Sequence, residues 1–158
     1  MNRIELVAAL SLAKDSSRRV NVVASKEVPD RDGDIIRLAG MDLEQYRANP
    51  VVLNQHQQQE PIGKAVDVRI VGDELRAELE LARNEKGGEV LGLIKSGVLS
   101  GISIGFLSKA AAPRQGARGW DITASELLEI STVSVPANSA ALVQRSKELS
   151  HLILRRLR

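Results

Sequence analysis

Two runs of apolar–polar alternation meet at a Gly-Asp pair in IGKAVDVRIVGDELRAELEL, residues 62–81. Val66, Val68 and Ile70 alternate with Asp67 and Arg69, and Leu75, Ala77, Leu79 and Leu81 alternate with charged residues after the turn. On a strand, side chains two apart share a face, so each run predicts a half-buried strand. A two-residue connection containing glycine joins such strands as a hairpin. That hairpin excludes an all-helical fold and makes an antiparallel sheet the frame for everything around it.

The flanking segments extend this frame. RVNVVAS (19–25) reads as a strand, and PDRDGDII follows with the turn residues Pro29, Asp30, Asp32 and Gly33. MDLEQYRANP predicts a helical turn or two ended by Pro50, and VVLNQH a short strand leading to His56 in a polar loop. RNEKGGEVLGLIKSG predicts a helix capped by Asn84 and ended by Gly97, with Val90, Leu93 and Ile94 on one face. VLSGISIGFLSK reads as a strand, APRQGARGW as a loop, and ELLEISTVSV as a strand stopped by Pro136. Residues 138–158 read as one amphipathic helix, with Leu142, Val143, Leu149, Leu152 and Ile153 on its buried side. The expected class is α+β, mainly β: a small antiparallel β-barrel or sheet with surrounding helices and a C-terminal amphipathic helix. One domain spans 1–158, its core about 19–137.

Composition removes several function classes. Only Tyr46, Phe106 and Trp120 are aromatic, so no platform for stacking nucleic-acid bases exists, and the core must come from Val, Ile, Leu and Ala. The absence of cysteine excludes disulfides, thiolate metal sites and a cysteine nucleophile. A net charge of +2 is no strong sign of a nucleic-acid partner, although Arg145, Lys147, Arg155, Arg156 and Arg158 gather at one end, where a weaker third reading would place nucleic-acid binding. No apolar run approaches the roughly 20 residues of a membrane helix. MNRIELVAALSLAKD faintly resembles a secretory signal, but Glu5 interrupts so short a stretch, and a mature N-terminal element is expected. The DRDGDII acids do not continue as a calcium loop, and neither a phosphate loop nor a zinc ligand set is present.

Gly101-Ile102-Ser103-Ile104-Gly105 matches G-x-S-x-G. Ile102, Ile104 and Phe106 form the apolar face of this strand, while Ser103 shares the other with two glycines, which leaves room around its hydroxyl. A serine nucleophile needs a base, and the chain has His56 and His151. The order Ser103, Asp121, His151 is that of the α/β-hydrolases, but their elbow requires a strand–turn–helix, and Pro113 follows too soon.

Several segments together resemble the prohead proteases of tailed bacteriophages: DRDGDII, YRANPVVLNQH, PIG, IKSGVLSGISIGF and LLEISTVSVPANSAA, in that order. The resemblance implies a serine endopeptidase similar in fold to the herpesvirus assembly proteases, a small β-barrel with surrounding helices. It implies Ser103 as nucleophile, His56 as general base and Glu129 as the acid, with no cofactor. The residues alone leave Asp67, Asp121 and Glu126 open as acids, and Ser131 on the strand face of Glu129 suggests a solvated face. Arg114 and Arg118 lie where an arginine-containing loop serves the oxyanion in the similar herpesvirus enzymes. The implied partners are the major capsid protein precursor, its scaffolding segment and the chain itself, through autocleavage and a homodimer. The implied place is an assembling procapsid in the bacterial cytoplasm. A second reading is a non-catalytic capsid-assembly or scaffold-binding protein on the same fold.

Overall fold

A computed structural model describes residues 18–145. Its strands are β1 (Arg19–Lys26), β2 (Ile35–Ile36), β3 (Met41–Asp42), β4 (Val51–Asn54), β5 (Gln57–Val71), β6 (Glu74–Leu81), β7 (Gly101–Pro113) and β8 (Trp120–Val133). Its α-helices are α1 (Glu44–Ala48) and α2 (Glu85–Lys95), and a 3-10 turn spans Leu38–Gly40. The hairpin expected at 62–81 is β5–β6, turning at Gly72 with φ +61°. On β6 the expected alternation holds throughout, and Leu75, Ala77, Leu79 and Leu81 are all buried. On β5 it does not. Val66 is an extra residue between Ala65 and Asp67 in the pairing with β6, so Ala65 and Val68 are buried while Val66 is exposed; Ile70, on the face of Val68, is exposed near the end of the hairpin.

β1 pairs β6, β6 pairs β5, β5 pairs β4 and β7 pairs β8, all antiparallel. β8 is the hub, because β2, β3 and β4 each lie along it in parallel. The sheet is therefore mixed rather than wholly antiparallel. It is mainly β and curled, and its strands alone do not close a barrel. Residues 141–144 fill the gap between β1 and β7. Val23 N donates to Leu142 O and Gln144 N to Asn21 O on one side, while Ile102 N donates to Ala141 O and Val143 N to Ser100 O on the other. The helix expected from Asn138 onward is thus absent over 138–145, because these backbone groups satisfy two exposed sheet edges. The rest of that helix and the N-terminal element lie outside the described residues.

α2 starts where Asn84 accepts from the Gly87 amide and ends before Gly97, whose φ is +79°. Its buried face is Val90, Leu91 and Ile94, whereas Leu93 is exposed. β7 begins at Gly101, so Val98 is exposed and Leu99 is core, the reverse of an extended alternation through them. The core is aliphatic apart from Tyr46, with Leu38, Val52, Ile62, Ile102, Leu127 and Ile130 fully buried. No helix among the described residues is long and apolar enough to cross a membrane.

Candidate active site

His56 sits in a two-residue connection. Asn54 pairs with Gln57, so Gln55 and His56 alone turn β4 into β5, with φ +53° and +60°. Positive φ at both central residues is the type I′ turn, which asparagine and glycine normally occupy because other residues are strained there. The end of β8 and Ser134 just after it hold this turn in place. Gln55 N donates to Thr132 O (2.9 Å), Gln55 Nε2 to Ser134 Oγ (3.0 Å), and Ser134 N to Gln55 Oε1 (3.2 Å). The His56 amide donates to Ser131 Oγ at 3.2 Å.

His56 Nδ1 lies 2.5 Å from Glu129 Oε1, and the carboxylate's other oxygen accepts from Ser131 Oγ at 2.7 Å. The His56 side chain is 44% exposed and that of Glu129 only 13%, so the pair straddles the surface with its charge on the inner side. Ser131 is fully buried, which corrects the expectation that its strand face is solvated. Beneath lies Tyr46, whose hydroxyl donates to Val51 O at 3.1 Å. Burial, and then the negative charge of Glu129, push its phenol above the ordinary tyrosine range.

The β7–β8 register places Ser103 opposite Ser131 and Gly105 opposite Glu129. Directly opposed residues carry their Cβ atoms about 5 Å apart on the same face. Ser103 therefore shares one patch with Ser131, Glu129 and the His56 turn. Its flanking glycines do not leave open space, however. A Cβ on Gly105 would lie 2.6 Å from Glu129 Oε1, and one on Gly101 would lie 2.4 Å from Val133 O. The room at Gly105 is taken by the carboxylate, and that at Gly101 by the end of β8. Ser103 itself is 8% exposed, makes no side-chain hydrogen bond among the described residues, and lines a cavity of about 40 Å³ with Ala24, Ser25, Ile36 and Phe106.

The other acids are engaged elsewhere: Asp121 with Arg37 (2.5 Å), Glu126 with Lys109 (2.9 Å), and Asp67 with Arg69. His151 lies outside the described residues. Arg114 and Arg118 are not brought to Ser103, because β7 and β8 run paired from Gly101–Val133 to Pro113–Trp120 and carry their loop to the far end of the hairpin. There Arg114 Nη1 donates to Gly33 O (2.8 Å) and Arg118 O (3.2 Å), while Arg118 reaches Asp32 at 3.8 Å. Gln55 and Ser131 escape a reading of the sequence, since neither turn strain nor cross-strand register is visible in residue type.

A carboxylate bound at Nδ1 leaves the Nε2 of His56 facing away from it, and Ser103 lies on β7, the strand paired with the β8 strand that bears Glu129. The chain belongs to the caudovirus prohead serine protease family, whose sequence model matches residues 25–153. It is 32% identical over 145 residues to the prohead protease of Escherichia phage T5, covering 89% of this chain and 68% of that protein. It is 28% identical over 155 residues to a capsid polyprotein of Pseudomonas phage PAJU2, covering 94% of this chain. The chain spans 23% of that polyprotein's length. Among solved structures it is similar to the bacteriophage T4 capsid assembly protease at 9% identity, with a TM-score of 0.49 over 79% of this chain and 80% of that one.

Proposed function

We propose that this chain is a serine endopeptidase that cleaves the capsid precursor and its scaffolding segment inside an assembling prohead, and also cleaves itself. The observation that carries the reading is the 2.5 Å pairing of His56 Nδ1 with Glu129 Oε1, held beside the strand that bears Ser103. Glu129 fixes the tautomer that leaves Nε2 unprotonated and stabilises the imidazolium once a proton arrives. His56 takes the proton of Ser103 Oγ as that oxygen attacks the scissile carbonyl. The same proton passes to the leaving amine, giving an acyl-enzyme and the free C-terminal fragment. Water, deprotonated by His56, then attacks the ester carbonyl and releases Ser103. The Ser103–His56 hydrogen bond forms as substrate seats, because such bonds commonly tighten only in the complex.

Co-expression with the cognate capsid precursor tests this, with products read by mass spectrometry for wild type, Ser103→Ala and His56→Ala. Wild type yields a shortened precursor, and both variants leave it intact. Processing that survives Ser103→Ala overturns the assignment. An intact precursor in all three favours the non-catalytic assembly role.

A further inference from the structure

We infer that Ser131 is a positioning residue of this site, its single hydroxyl setting both the His56 turn and the Glu129 carboxylate. The inference rests on the Ser103–His56–Glu129 reading above. A hydroxyl has one proton to give and lone pairs to receive with. In Ser131 the proton goes to Glu129 Oε2 at 2.7 Å, and a lone pair receives the His56 amide at 3.2 Å. The contrast with other hydroxyls is informative. Ser125 Oγ and Thr132 Oγ1, also on β8 and also buried, have no partner among the described residues.

The double engagement restrains two soft degrees of freedom. The terminal torsion of a glutamate is broad, so one hydrogen bond leaves the carboxylate free to rock. Binding Oε1 to the imidazole and Oε2 to a fully buried hydroxyl fixes its plane. His56, at φ +60°, adopts a backbone conformation that persists only where the surroundings over-determine it. Its amide bond to Ser131 is one of those determinants. Ser131 stands opposite Ser103 in the register, but its proton is committed to Glu129, which sets it apart from the nucleophile.

The test uses purified full-length protein and a peptide spanning the precursor junction that wild type cleaves. Ser131→Ala is expected to lower kcat on the order of 10²-fold with KM within about twofold, the signature of lost positioning. In a Glu129→Ala background the same substitution is expected to cost several-fold less than it does alone, because only the share that acts through the His56 amide remains. A purely structural role would give additive losses. Ser131→Cys, close in volume but a weaker donor and acceptor, is expected to fall between and guards against an alanine variant that fails to fold. Wild-type kcat in Ser131→Ala or Ser131→Cys, or full additivity in the double variant, overturns the inference while the triad stands if Ser103→Ala remains inactive. Cleavage by Ser103→Ala instead removes the triad reading itself.

Discussion

Gly105→Ala is the sharpest probe of the site, because the added methyl meets one functional group and nothing else within its three nearest contacts. Its Cβ would lie 2.6 Å from Glu129 Oε1, 2.9 Å from Cγ and 3.0 Å from Cδ. Ordinary contact begins near 3.4 Å, so the carboxylate must withdraw by about 0.8 Å. Glu129 cannot withdraw freely, since its two oxygens are bound to His56 at 2.5 Å and to Ser131 at 2.7 Å. A displacement approaching 1 Å in a catalytic group costs on the order of 10² in rate, or about 2.7 kcal/mol of transition-state stabilisation. Complete loss of the carboxylate's service sets a ceiling near 10⁴. Stability changes less. Hydrogen bonds weakened at Glu129 cost roughly 1–2 kcal/mol, offset by about 0.4–1 kcal/mol from the stiffer unfolded chain. Gly101→Ala is the matched control, because its Cβ would meet Val133 O at 2.4 Å and Pro136 Cδ at 2.9 Å. There the obstacle is backbone, and the fold suffers. Junction-peptide kinetics and thermal melts separate the two: Gly105→Ala loses kcat with a near-native Tm, and Gly101→Ala loses Tm. A folded Gly105→Ala protein that cleaves at the wild-type rate would refute the role given to Glu129.

Three further expectations bear on different parts of the molecule. Tyr46 is the one tyrosine, and its phenol is raised by burial and by Glu129, so the unfolded chain ionises first as pH climbs past about 10. Its contribution to stability is full below that pH and is lost above it, and Tyr46→Phe should flatten the alkaline limb of a stability–pH curve measured by urea melts. Gly40→Ala would place a Cβ 1.8 Å from Thr123 O, where the backbone cannot yield, and a loss above about 4 kcal/mol is expected as insoluble protein or a collapsed Tm. Arg118→Ala removes only a 3.8 Å pairing with Asp32 between two largely exposed side chains, so kcat/KM should stay within about twofold of wild type.

What could be read in advance follows from what each element depends on. β6 was legible because Leu75 to Leu81 keeps strict alternation on an unbroken strand, and α2 because Asn84 and Gly97 act locally. β5 misled because the bulge at Val66 is a property of the pairing with β6, not of the apolar pattern. Leu142 and Val143 suit a helix face by type, but two open sheet edges claim their backbone. The candidate site was legible as residue types in a resembling order. Its closeness was not, because Ser103, Ser131 and Glu129 meet through register, and the turn at His56 lacks the asparagine or glycine that would announce positive φ.

The Gln55–His56 turn also dictates where this protein can change in length. With Asn54 already paired to Gln57, one inserted residue would convert the turn to another class and swing the imidazole off Glu129. The hairpin tips at Gly116 and Gly72 carry no such obligation, since an added Cβ at either meets nothing within 4 Å, whereas Arg114 is held by Gly33 O and Asp73 O by the Glu27 amide. Insertions, tags and reporter peptides belong at those two tips, while the spacing from Val51 to Gln57 behaves as a fixed ruler.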